Sequence, residues 1–202
     1  MSEPMEARDE ATEVLPEIPT RGRALRRTIG EFLRLALIAA AIALPIRYFV
    51  AQPFVVDGAS MEPNFHDGQY LVIDELSYFL REPERGEVIV FRFPGNPKVH
   101  YIKRVIGLPG ETVQIRDGAV FIVTREQSEG RRLAEPYLPA DTRITGDFRF
   151  TLRAGEYVVL GDNRGESADS RYWGVLDRKF VTGRAIFRAW PPAAFGPVAG
   201  AS

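Results

Sequence analysis

Two residues of types that can cleave a peptide bond together are Ser60 and Lys103. Ser60 lies in a turn-rich stretch just after Gly58, where a loop would expose its hydroxyl. Lys103 lies in an apolar run typical of a β-strand, and Tyr101 and Val105 share its face because strand side chains alternate. Apolar surroundings lower the pKa of a lysine, and a neutral amine can then take a serine proton. The alternative is that Lys103 is an edge or solvated lysine.

Histidine is the other base that a serine nucleophile could use, and the chain has only His66 and His100. His66 follows Ser60 in a turn and is typical of a surface histidine. Strand alternation points His100 away from Lys103, and nothing in the sequence links it to Ser60. The chain has no cysteine and no spaced cluster of carboxylates, so we expect no metal site.

A third stretch, GDNRGESADSRYWG at residues 161–174, is polar and rich in turn-forming residues. It contains two serines and charges of both signs. One interpretation is a surface loop held by caps and salt bridges. The other is a fixed scaffold that orients a catalytic lysine.

The elements that must position these residues are mostly short strands. From Tyr70 onward, apolar runs rich in Val, Ile, Phe and Tyr alternate with turn residues, which favours one mostly-β domain. The predicted strand windows are 70–75, 87–93, 99–107, 112–123, 146–152, 156–162 and 180–190. Between them, residues 124–146 are a polar excursion or edge hairpin, and the residues after Trp190 form a loose end.

The beginning of the chain differs in composition from the rest. Residues 1–20 are acidic and favour a disordered tail, and arginines follow from Arg21 to Arg34. An uncharged run from Leu35 to Ile46 comes next. A membrane anchor over residues 28–50 is the favoured interpretation, beside a cleavable targeting segment and a buried core helix. The basic flank would place the N-terminus in the cytoplasm and everything after residue 51 outside it.

These features divide the chain into four parts. They are a cytoplasmic tail with its basic flank (1–27), a transmembrane anchor (28–50), a catalytic β domain (51–192) and a C-terminal tail (193–202). A chain of 202 residues with a net charge of −1 fits one medium domain with an appendage and carries no overall basic signature for nucleic acid.

Four stretches in this order resemble the bacterial type I signal peptidase (leader peptidase) family. They are GASMEPN at 58–64, RGEVIVF at 85–91, YIKRVIGLPGE at 101–111 and GDNRGESADSRYWG at 161–174. The resemblance covers residues 30–192 and implies a single transmembrane helix followed by an extracytoplasmic all-β domain of the signal-peptidase type. It implies a serine endopeptidase, with a Ser-Lys dyad and no cofactor, that removes signal peptides from secreted preproteins after Ala-x-Ala sites. The expected location is the cytoplasmic (inner) membrane, in contact with the lipid bilayer and near the secretion translocon.

The resemblance also assigns roles to residues. It implies that Ser60 is the nucleophile, Lys103 the general base and Ser167 the hydroxyl that orients the lysine amine. It implies that Asp169 and Arg171 form a supporting ion pair, and that residues 162–164 are structural. The residues implied to line the substrate pocket, which could equally be core, are Phe54, Val56, Met61, Phe65, Tyr101 and Ile102.

One position departs from some members of that family. Where they carry a serine that stabilises the oxyanion, this chain has Gly58. The oxyanion hole would then depend on the backbone N–H of Ser60. Loss of a single oxyanion donor can cost roughly 10²–10³ in rate. We therefore expect the oxyanion hole to be adjusted to the glycine, and the enzyme to remain active.

Three other functions are alternatives to this one. A self-cleaving Ser-Lys repressor would carry a DNA-binding helical domain where this chain has an acidic tail and an apolar segment. A β-lactam-type Ser-x-x-Lys enzyme does not fit, since Met61, Glu62 and Pro63 follow the serine. The remaining alternative is an inactive or non-catalytic membrane-tethered β domain that binds a protein partner.

Overall fold

The computed structural model describes residues 21–45, 52–125 and 127–198. The chain divides into two compact units, residues 1–44 and 45–202. The predicted acidic tail (1–20) and the last residues of the predicted anchor (46–50) lie outside the described residues.

The first unit contains one long helix, α1 (Arg21–Pro45). Its sequence is rich in Ala, Leu and Arg, which are strong helix formers, and it ends at a proline. The predicted basic flank from Arg21 and the first part of the predicted anchor (28–50) both belong to this helix. Among the described residues, no helix combines the length and apolar character needed to cross a membrane.

The second unit consists mainly of strands. In chain order they are β1 (Gln52–Val55), β2 (Tyr70–Asp74), β3 (Val88–Phe93), β4 (Asn96–Gly107), β5 (Thr112–Arg116), β6 (Ala119–Val123), β7 (Arg131–Arg132), β8 (Phe148–Thr151), β9 (Glu156–Leu160), β10 (Leu176–Asp177), β11 (Val181–Trp190) and β12 (Gly196–Pro197). Two one-turn helices, α2 (Ser77–Leu80) and α3 (Ser170–Trp173), and two 3-10 turns (Arg178–Phe180 and Pro192–Ala194) complete it. Every predicted strand window contains a strand, so the mostly-β prediction is confirmed.

The strands form two antiparallel sheets. The larger has the order β1-β2-β11-β3-β4-β9-β10, with β12 on β11, and the smaller has the order β7-β6-β5-β8. Strand β3 is buried on both faces: Val88 and Val90 join one core cluster, and Ile89 and Phe91 join another. Its sequence is accordingly a continuous apolar run rather than an alternating one.

The smaller sheet packs over the end of β4 through a third core cluster that includes Ile106 and Val113. Gly107 makes this close approach possible. A Cβ there would lie 2.3 Å from Val113 Cγ2 and 2.8 Å from Leu152 Cδ1. The turn between β4 and β5 can therefore bring the two sheets together only because residue 107 has no side chain.

The C-terminal segment differs from the predicted loose end. Strand β12 pairs with β11, and the Val198 N–H donates to the Ile186 carbonyl at 2.9 Å. The rings of Phe195 and Phe187 meet edge-to-face with centroids 4.8 Å apart. The segment is too short and too rich in Gly and Pro to give a strand pattern in the sequence, so its docking depends on these tertiary contacts.

Candidate active site

Ser60 lies in a tight turn between β1 and β2. The turn is anchored in the core by the next residue, Met61, which is fully buried, and by Phe65. Gly58 has a φ of +81°, in the left-handed region that favours glycine, and its N–H donates to a carboxylate oxygen of Asp67 at 2.7 Å. The direction of the Ser60 side chain is therefore fixed by the buried residues that follow it and by the Gly58–Asp67 hydrogen bond that precedes it.

Lys103 lies in the buried half of β4, opposite Ile89 of β3. Only 3% of the residue is exposed. Its Nζ lies 2.7 Å from Ser60 Oγ and 2.8 Å from the Ile102 carbonyl oxygen. The structure therefore brings the two predicted site residues into direct contact across 43 positions of sequence.

The surroundings of Lys103 change its acidity. Burial lowers the pKa of Lys103 from 10.5 to about 8, while the carboxylates of Asp169 and Asp162 act in the opposite direction. Desolvation is the larger effect because the amine has almost no contact with solvent. A substantial fraction of the amine is therefore neutral slightly above physiological pH, as a general base requires.

Arg104, the residue after Lys103, is fully buried and holds the segments on either side. Its Nε and Nη2 donate to the two carboxylate oxygens of Asp162 at 2.8 and 2.6 Å. The second of these oxygens also accepts a hydrogen bond from Asn64 Nδ2 at 2.8 Å. This bidentate pair thus joins β4, the Ser60 turn and the 161–174 loop.

The 161–174 loop lies directly against the backbone of the Ser60 turn. The Asn163 N–H donates to the Ser60 carbonyl at 3.2 Å, and Asn163 Nδ2 donates to the Ala59 carbonyl at 3.2 Å. A Cβ on Gly161 would lie 2.4 Å from the Ser60 carbonyl oxygen and 2.2 Å from Ser167 Oγ. Only glycine fits at position 161 without a shift of this backbone.

The predicted ion pair within the loop is present. Arg171 Nε and Nη2 donate to the two carboxylate oxygens of Asp169, both at 2.8 Å. Asp169 also accepts from the Gly161 N–H at 3.0 Å, so the pair fixes both ends of the loop. Because Asp169 is fully buried, its charge is compensated by these donors rather than by water.

Ser167 and Ser170 differ in their partners. Ser170 Oγ accepts a hydrogen bond from the Val159 N–H at 3.0 Å. Ser167 Oγ is buried and has no hydrogen-bond partner among the described residues. A buried polar atom without a partner is uncommon, and such atoms are often functional.

A cavity of about 180 Å³ opens beside the Ser60–Lys103 pair. Three of the residues predicted to form the substrate pocket line it: Phe54, Tyr101 and Ile102. The other three, Val56, Met61 and Phe65, do not line this cavity and belong to the core cluster behind it. Their positions in the tight turn direct them inward, where they hold Ser60 in place.

The two histidines, which the sequence did not favour as bases for Ser60, are both exposed. His66 is exposed and faces Glu62, with Nδ1 3.5 Å from Oε1. His100 is also exposed, although it does line the cavity beside Ser60, a proximity the strand pattern did not indicate. Within the described ranges, no group of three or more His, Asp or Glu side chains is arranged to hold a metal ion.

Comparisons with known proteins agree on one family. The family described as "Signal peptidase, peptidase S26" matches residues 29–190. Signal peptidase I of Bacillus licheniformis is 37% identical over 177 residues, covering 82% of this chain and 91% of that protein. Probable signal peptidase I-2 of Synechocystis is 38% identical over 159 residues, covering 76% of this chain and 69% of that protein. A crystal structure of a signal peptidase I from Enterococcus faecalis V583 superposes with a TM-score of 0.43 at 36% identity, covering 52% of this chain and 97% of the other.

Proposed function

Because this chain belongs to the signal peptidase family (peptidase S26), a family of serine endopeptidases, we propose that it is a membrane-anchored endopeptidase. Its substrates are secreted preproteins, from which it removes the N-terminal signal peptide after a small-x-small site. The observation that carries the proposal is the contact of 2.7 Å between Lys103 Nζ and Ser60 Oγ. This contact pairs a hydroxyl with an amine of depressed pKa beside a small cavity.

The reaction follows from this pair. Ser60 Oγ attacks the scissile carbonyl carbon while its proton passes to the neutral amine of Lys103. The resulting ammonium protonates the leaving amine of the mature protein, which departs and leaves the signal peptide as an ester on Ser60. Water then attacks the ester and gives a proton to Lys103. Lys103 returns that proton to Ser60 Oγ as the ester bond breaks, which restores the enzyme, and the signal peptide leaves with a free carboxyl group that ionises in solution.

Ser167 and the Asp169–Arg171 pair support the base. The buried Ser167 hydroxyl makes no hydrogen bond to any described residue, Lys103 included, and we assign to it the role of orienting the lysine amine during the reaction. The ion pair holds the loop that carries this hydroxyl against the Ser60 turn. The backbone N–H of Ser60 serves the oxyanion, since Gly58 offers no hydroxyl.

The cavity beside Ser60 is small, about 180 Å³, and Phe54, Tyr101 and Ile102 line it. We expect it to favour small apolar side chains, such as that of alanine, at the cleavage site. Among the described residues, β4 pairs with β9 only from Arg104 onward, and β1 is the first strand of its sheet. An extended substrate can therefore add main-chain hydrogen bonds at these free edges.

Anchoring in the membrane would keep the enzyme close to its substrate. We assign the anchor to residues 28–50, with the N-terminus in the cytoplasm and the β domain outside. The apolar side chains of α1, such as Phe32 and Leu37, are largely exposed at 72% and 74%, and the arginines that precede them in the sequence form the basic flank expected on the cytoplasmic side of an anchor. The signal peptide also resides in the lipid bilayer, near the translocon that delivers it, so an anchored enzyme and its substrate would share one membrane.

The test is cleavage of a secretory preprotein with an Ala-x-Ala site by the full chain in lipid, with Ser60→Ala beside it. Cleavage at that site by the wild type alone would support the proposal. Absence of cleavage by the folded wild type would favour the alternative, a non-catalytic membrane-tethered domain that binds a partner. Equal cleavage by both forms would indicate a contaminating protease.

A further inference from the structure

Residues 135–137, which we name the brace, lie in the segment predicted as a polar excursion (124–146). The brace follows β7 at the edge of the smaller sheet. Behind it is a cavity of about 630 Å³, lined by Glu135, Pro136, Leu138 and Arg164 among others. Because this side of the brace is not packed against the core, its position depends on its polar contacts.

The first contact of the brace is an ion pair between Glu135 and Arg164. The side chains are 15% and 2% exposed, and Arg164 Nη1 donates to Glu135 Oε2 at 3.0 Å. The Tyr137 hydroxyl donates to the other carboxylate oxygen of Glu135 at 2.7 Å. Arg164 in turn donates from Nε to the Gly161 carbonyl at 3.0 Å, and its own carbonyl accepts from Arg171 Nη1 at 2.7 Å. Through Arg164, Glu135 is therefore connected to both ends of the 161–174 loop, which carries Ser167.

The second and third contacts come from Tyr137. Its carbonyl accepts a hydrogen bond from Asn64 Nδ2 at 2.9 Å. Its ring lies 4.0 Å from the guanidinium carbon of Arg104, a cation–π contact. Asn64 belongs to the turn of Ser60, and Arg104 is the neighbour of Lys103 in β4.

We propose that the brace is a positioning element of the peptidase, through which Glu135 and Tyr137 hold the segments of Ser60, Lys103 and Ser167 in register. This inference rests on the proposed function, since it concerns the same reaction. The three segments come from distant parts of the sequence, and the brace contacts a residue in each of them. Small displacements of reacting groups are costly, since a shift of about 1 Å can lower a rate by about 10²-fold.

The test is Glu135→Gln in the full chain, which preserves the shape of the side chain and removes its charge. The matched control is Glu111→Gln. Glu111 is paired with Arg85 and has the same 15% exposure. Among the described residues, no hydrogen bond of this pair reaches the Ser60 turn or the 161–174 loop, and Arg85 contacts β4 only at its far end, at the Ile106 carbonyl. We expect Glu135→Gln to lower kcat by about tenfold with KM within about twofold of the wild type, because the brace does not line the substrate cavity. Glu135→Asp, which keeps the charge, should restore part of kcat, and Glu111→Gln should leave kcat unchanged.

A second readout does not depend on activity. NMR titration of isotope-labelled Lys103 should show a higher pKa in Glu135→Gln, because a loosened site admits water to the amine. The control should keep the wild-type value. If Glu135→Gln does not fold, Tyr137→Phe takes its place, since it removes only the hydrogen bond to Glu135.

The outcomes separate the two proposals. Unchanged kcat and unchanged Lys103 titration in Glu135→Gln, or equal effects in Glu111→Gln, would overturn the positioning role and leave the proposed function intact. Absence of cleavage by the wild type would overturn the proposed function. In that case the NMR titration alone decides whether the brace positions Lys103.

Discussion

The amine of Lys103 and the hydroxyl of Ser60 are 2.7 Å apart, although one lies in the middle of strand β4 and the other in the turn after β1. No other cation contacts that hydroxyl among the described residues. If Lys103 is the base, Lys103→Arg should lower kcat by about 10³-fold or more, because a guanidinium is not deprotonated at accessible pH. Preprotein cleavage by the purified variant measures this.

The control for that substitution lies on the same strand. Lys98 is exposed in the first half of β4, and Lys98→Arg should cleave at the wild-type rate. Activity in Lys103→Arg comparable to that of Lys98→Arg would remove Lys103 from the mechanism.

Substitution of the two serines of the 161–174 loop should have opposite effects: one variant should lose more activity and the other more stability. Ser167→Ala removes a buried hydroxyl without a partner, so the free energy of unfolding should stay the same or rise while cleavage falls. Ser170→Ala leaves the Val159 N–H without its acceptor and should cost about 1–3 kcal/mol of stability. Chemical denaturation and cleavage rates, measured on both variants, check this prediction. A larger loss of activity in Ser170→Ala would mean that Ser167 is not the serine that orients the lysine.

Gly161 should be intolerant of any side chain. A methyl group there would collide with the Ser60 carbonyl oxygen and with Ser167 Oγ, so Gly161→Ala should displace both serines and reduce cleavage by about 10²-fold. Gly165, in the same loop, provides the comparison: a Cβ there would meet only Asn163 Oδ1, at 3.8 Å. Gly165→Ala should retain near wild-type activity, and equal activity of the two variants would show that the close approach at Gly161 has no role.

The strands of this protein are readable from its sequence because most of them are buried on at least one face. Runs such as that of β3 are apolar throughout, and in β4 Lys103 lies on the predicted side of the strand with Tyr101, its Nζ 5.4 Å from the ring centroid. The short strands β1, β10 and β12 were not predicted, and β7 lies at a sheet edge within the stretch predicted as a polar excursion or edge hairpin. They contain two to four residues each and exist through pairing with longer strands rather than through their own pattern.

Part of the candidate site could be predicted from the sequence, and part could not. The proximity of Ser60, Lys103 and the 161–174 loop followed from a resemblance, and the Asp169–Arg171 pair is local in sequence. Arg104, Asn64, Glu135 and Tyr137 were missed because their partners lie far away along the chain. The burial of Arg104, for example, depends on Asp162, 58 positions later. A charged residue inside an apolar strand was the one signal that could have indicated such a partner.

The most direct test of the account is the pH dependence of the cleavage step itself. Neutral Lys103 is the active form, and burial lowers its pKa to about 8. The single-turnover rate should therefore rise about tenfold per pH unit below that value and level off above it. Rapid-quench measurements on the wild type with a preprotein substrate, from about pH 6 to about pH 10, would show this curve. A rate that is flat, or that falls across the same range, would contradict a lysine general base.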